Sequence, residues 1–269
     1  MPTPDLTVAN DASPGDWIAP RLHGKFGAVT LTVPGGFAAY ARICHPARDS
    51  HDKMVKWSEV AQVTGGTAHS LMQWHALVGS PDHFNFKGSL WDDGAPDRGN
   101  LALPQLEELC ELLVWHTTDA SRCIMGLWVG WGWVEGSCSF MTMIRRGADH
   151  VWVESSPGPA FSVDDLHKAR LRLPGRDYVL LAGPLSGATR IRATYCPRLV
   201  MSQSPNLLWP TDHAWFVASE IDFDSTLVGG SADLIQSILA APELDAWPVS
   251  PDDSLAFDAD KINHVAEQP

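Results

Sequence analysis

Apolar and polar positions alternate with period two over residues 28–33, where Val29, Leu31 and Val33 are offset from Ala28, Thr30 and Thr32. The alternation resumes over 37–44, and a period of two is that of a strand. Pro34-Gly35-Gly36 lies between the two runs, so the pattern predicts a hairpin. A different period follows Pro104: Leu106, Leu109, Cys110, Leu113 and Val114 recur at helical spacing and define one buried face. Shorter helices are expected over 57–63, stopped by Gly65-Gly66, over 164–171, and from a Ser231 cap to Ala241. Further strands are expected over 122–134, 140–144, 151–153, 178–181, 189–194 and 213–223, with a loop over 81–100.

Strands come in groups and helices are few. This predicts an α+β fold, with a mixed or mainly antiparallel sheet and a few packed helices, not the regular alternation of a doubly wound fold. The organisation expected is a flexible lead-in over 1–16, a globular domain over 17–248 and a polar tail over 249–269. The middle region is one unit or two subdomains divided near 120–160.

Charge then narrows the partners. The chain carries 32 acidic against 19 basic residues, a net charge of −13. Nucleic-acid binding draws on Lys and Arg displacing counterions from phosphate, so this balance argues against it. A basic protein or a small molecule suits an acidic surface better. The five cysteines, Cys44, Cys110, Cys123, Cys138 and Cys196, form no CxxC pair, and reduced thiols point to the cytoplasm. No apolar run reaches the roughly 18 residues of a membrane span, so no membrane is expected. No motif asks for a cofactor: GxSxG, HExxH and the phosphate-binding loop are all missing from the sequence.

Two stretches could carry chemistry. The chain has twelve tryptophans, and Trp128, Trp131 and Trp133 fall within eight residues of one apolar run. Read as a strand, that run puts Trp131 and Trp133 on one face and Trp128 on the other, beside Gly130 and Gly132. Glycines there admit a flat ligand or a neighbouring backbone, and indole rings offer π faces to sugars, bases or cations. The second stretch is Glu220-Ile221-Asp222-Phe223-Asp224. As a strand it sets Glu220, Asp222 and Asp224 on one face within about 14 Å, suited to a hard cation or an acid–base pair, or simply to a solvated sheet edge.

Several segments resemble a family of uncharacterised actinobacterial proteins of about this length: residues 34–46, the Leu127-Trp128-Val129-Gly130-Trp131-Gly132 run, residues 178–185 and the long stretch 206–231. The resemblance spans most of the chain and implies a bacterial origin. That family has no assigned activity, so it transfers no catalytic or binding residue.

The function expected is binding or protein interaction without catalysis. A small-molecule enzyme or metal-dependent hydrolase using Glu220, Asp222 and Asp224, and a structural or assembly subunit, are the alternatives.

Overall fold

A computed structural model describes residues 5–81, 88–137, 140–146, 149–155, 158–196 and 199–263. Its centre is one nine-stranded sheet. The strands, numbered along the chain, are β1 (Thr7–Val8), β2 (Ala39–Cys44), β3 (Cys123–Trp128), β4 (Arg170–Leu173), β5 (Arg176–Gly183), β6 (Leu207–Pro210), β7 (Phe216–Ala218), β8 (Ser225–Gly230) and β9 (Asp245–Val249). Their order across the sheet is β1-β5-β3-β6-β7-β8-β2-β9, with β4 continuing the edge of β5 beyond β1, and every pairing is antiparallel. This is the α+β fold that the grouped strands predict. Three short antiparallel pairs lie off the sheet: Ala47–Arg48 with Met54–Val55, Phe140–Arg146 with Asp149–Ser155, and Arg192–Cys196 with Leu199–Ser202.

The middle strands read as near-continuous apolar runs because both of their faces are covered. All residues of β6, β7 and β8 are buried. Three helices matter most: α1 (Trp57–Thr64), α2 (Leu103–Leu113) and α3 (Ala232–Ala240). Ser231 caps α3, its Oγ accepting from the Leu234 N–H, and the helix lies over β2, β8 and β9. α2 packs beside it, and its Leu106, Leu109 and Leu113 are buried in the core. α1 ends at Gly65, whose φ of 76° suits glycine, and covers a separate apolar cluster of Trp57, Val60, Met72, Trp74 and Leu77. Among the described residues no helix is long and apolar enough to cross a membrane.

The structure corrects several expectations. Residues 28–33 form no strand: Val29–Thr32 is one helical turn, with the Val33 N–H on the Val29 carbonyl. Val29 and Val33 are both fully buried, so the decisive spacing is i, i+4, and burial on one side outweighs the alternation. β2 therefore pairs with β8 and β9 instead of a hairpin partner. The lead-in is not loose from residue 5 onward, since β1 joins the sheet and Leu6 is 4% exposed. The tail is docked too: Leu255 is buried, Ser254 bridges to Ala28, and Asp260 accepts from the Gln73 N–H. Residues 189–194 split into a 3-10 turn, Leu185–Arg190, followed by the strand Arg192–Cys196. Gly147 and Ala148, between the expected strands 140–144 and 151–153, and Cys138 lie outside the described residues.

Candidate functional site

The tryptophan run does not continue as a strand. β3 stops at Trp128, where the Trp131 N–H returns to the Trp128 carbonyl, and residues Gly132–Glu135 form a helical turn. A Cβ on Gly130 would lie 2.2 Å from the Trp128 ring, so only glycine lets the chain fold back across that indole. The three rings consequently have separate environments. Trp133 is 2% exposed and leans on Phe161. Trp128 and Trp131 meet edge to face at 5.6 Å. Asn206 holds this pair, its Oδ1 accepting from the Trp128 N–H at 3.0 Å and from Trp131 Nε1 at 2.9 Å. Its Nδ2 donates to the Ser219 carbonyl at 3.0 Å.

The acidic stretch is likewise not a strand. β7 ends at Ala218, the Phe223 N–H closes a turn on the Glu220 carbonyl, and β8 starts at Ser225. The period-two spacing of the three acids belongs to a hairpin connection, where polar side chains are expected, and the turn sends them in two directions. Glu220 and Asp222 converge on Arg176, whose Nη2 lies 2.8 Å from Glu220 Oε1 and 2.5 Å from Asp222 Oδ2. The guanidinium also lies over Trp128, 5.9 Å from the ring centroid. Thus Trp128 and two of the acids do meet, with Arg176 between them. Burial pushes the Glu220 carboxyl up despite this partner. The cleft left beside Arg176, Tyr178 and Glu220 is 30 Å³, room for a water and not for a ligand. A guanidinium already occupies the ground a divalent cation would need there. Among the described residues no three His, Cys, Asp or Glu side chains cluster as metal ligands.

Asp224 turns the other way, into a cavity of 270 Å³. Arg42 from β2 lies across it, 1% exposed, with Nη2 3.7 Å from Asp224 Oδ1. The separation exceeds a hydrogen bond, so the contact is Coulombic. The other arms of Arg42 are fixed: Nε donates to Ser225 Oγ at 3.0 Å, and Nη1 to the Ser70 and Met72 carbonyls at 3.1 and 2.7 Å. The Arg42 guanidinium also lies over the Trp57 ring at 5.2 Å. Burial raises the Asp224 carboxyl above the usual carboxylate range, while the charges of Arg42, Arg98 and His75 act in the opposite sense. Trp74 and Phe223 wall the cavity, and Phe26 and Phe257, 62% and 58% exposed, stand at its rim.

Of the six residues singled out from sequence, Asp222 and Asp224 line this cavity, and Trp128, Trp131, Trp133 and Glu220 do not. Arg42, Arg98, Trp74 and Phe257 were not singled out. Arg42 alone carried a signal, a charge in the otherwise apolar β2 run Ala39-Tyr40-Ala41-Arg42-Ile43-Cys44. Such a charge is buried only with partners. In comparison with known proteins, no family model, no curated protein and no solved structure matches this chain.

Proposed function

We propose that the protein binds a small organic anion with an apolar body, such as a single-ring carboxylate, in the Asp224 cavity. One observation carries this reading: a cavity walled by aromatic rings, with the fixed Arg42 guanidinium and Arg98 facing the single acid that Arg176 does not engage. Guanidinium groups match carboxylate oxygens geometrically and lose little ordering energy when already held in position. The 270 Å³ volume lies just below the roughly 300 Å³ at which ligand cavities commonly begin, which suits a compact ligand. Asp224 lines the same cavity, and burial raises its carboxyl above the usual carboxylate range, which eases an anion's approach.

The test uses benzoate and benzylamine as probes of opposite charge, followed by saturation-transfer NMR and calorimetric titration on the full chain. Benzoate is expected to bind saturably in the millimolar range, more tightly than benzylamine. Arg98→Gln should weaken it at least tenfold, and Phe257→Ala several-fold. Saturable benzylamine binding without benzoate binding would reverse the assigned charge. Absence of saturation with either probe would remove the proposal.

A further inference from the structure

A second surface lies away from the cavity and shares none of its lining residues. After Leu113, α2 continues as one 3-10 turn, Val114–His116. Its inner face is buried, but Glu107, Glu111, Val114 and Trp115 stand at i, i+4, i+7 and i+8 on the outer side and are all exposed. Trp115 is 84% exposed, the largest fraction for any large apolar side chain among the described residues. Beside this ridge runs an open groove of 630 Å³, walled by Val114 and Cys110 on the helix side and by Ala120, Pro184 and Leu185 opposite. Its lining includes Glu107 and Glu111 and no Lys or Arg. Among the described residues neither glutamate takes part in an ion pair within 4.0 Å.

We infer that this groove docks a basic amphipathic segment of a partner protein, with Trp115 as the anchor. An apolar floor takes the apolar face of a helix-like segment. The two unpaired glutamates, one helical turn apart, match Lys or Arg at the same spacing on the incoming segment. Trp115 follows Val114, which lines the groove, and exposed tryptophan is the residue type that dominates interface energies. The chain's net charge of −13 attracts a basic partner over a distance and raises the encounter rate at low salt.

The test is fluorescence anisotropy with a labelled helical peptide of leucine and lysine at amphipathic spacing, against a scrambled peptide of identical composition. The full chain is expected to bind the amphipathic peptide at least tenfold more tightly than the scrambled one. Trp115→Ala should weaken binding at least tenfold without moving the melting temperature, because the ring is exposed. Glu107→Gln with Glu111→Gln should weaken it several-fold at low salt and little at high salt. Equal binding of the two peptides, or wild-type affinity in Trp115→Ala, would overturn the inference. So would sedimentation showing a dimer of the chain alone that Trp115→Ala disperses, since the groove's occupant would then be a second copy.

Discussion

His45 follows β2 with no exposed surface. Its Nδ1 lies 2.6 Å from the Asp97 carbonyl, which can only accept, so Nδ1 carries the hydrogen and Nε2 accepts from Thr226 Oγ1 at 2.8 Å. Thr226 Oγ1 in turn lies 2.7 Å from Ser219 Oγ, completing a buried chain that suits the neutral ring. Burial is the main cause that lowers the imidazole to about 4, with the Arg42 charge acting in the same sense and the Asp97 carbonyl against it. In the unfolded chain the ring titrates near the ordinary 6.5. Between these two values the unfolded chain holds a proton that the folded chain refuses, so stability falls as pH falls from 6.5 towards 4. At about pH 5 the difference amounts to about 2 kcal/mol, rising to about 3 kcal/mol across the whole window. The assay is urea denaturation followed by tryptophan fluorescence at about pH 7.5 and pH 5, comparing wild type with His45→Gln. The variant starts less stable because it breaks the chain of hydrogen bonds. Its further loss on acidification should be smaller than the wild type's by about 2 kcal/mol. Equal losses in the two proteins, or an NMR titration placing the native ring near 6.5, would refute this reasoning.

Other positions give simpler readouts. Leu6→Ala should cost about 2–4 kcal/mol in denaturant melts, since the side chain packs against Gly183 and Gly187; a loss below about 0.5 kcal/mol would mean that the segment is not docked. Ser231→Ala should cost about 1 kcal/mol by removing the cap of α3, and Ser231→Asp should retain most of it. Arg176→Met strands the part-buried Glu220 and should cost about 1–3 kcal/mol near neutral pH, with Arg176→Met/Glu220→Gln recovering part of the loss in a double-mutant cycle. Burial pushes the thiols of Cys110 and Cys123 up to about 12, so native-state alkylation mapped by mass spectrometry should leave both unmodified long after the unfolded protein has reacted.

What could be seen in the sequence depended on whether a pattern had one physical explanation. The helical spacing from Leu106 to Leu113 and the Ser231 cap each had one, and both elements form where expected. The alternation of residues 28–33 and of 220–224 had two. In the first, Val29 and Val33 are satisfied by a helical turn; in the second, the acids are turn residues whose side chains diverge to Arg176 and Arg42. The tryptophan run was interrupted by glycines, and the fold-back over Trp128 depends on Gly130 having no Cβ, which periodicity does not register. The cavity was the least legible part. Its wall draws on Phe26, Arg42, Trp74, Arg98, Asp224 and Phe257; the pairing of β2 with β8 brings Arg42 beside Asp224, and the other four come from connecting segments far apart in sequence.

The most direct measurement is a crystal of the full chain soaked with a ring-halogenated benzoate, whose anomalous signal locates the ring independently of the density. The cavity reading predicts the ring against Trp74 and Phe223, with its carboxylate directed at Arg42 and Arg98. Full occupancy elsewhere on the surface, or an empty cavity at a concentration that saturates the solution titration, would contradict it.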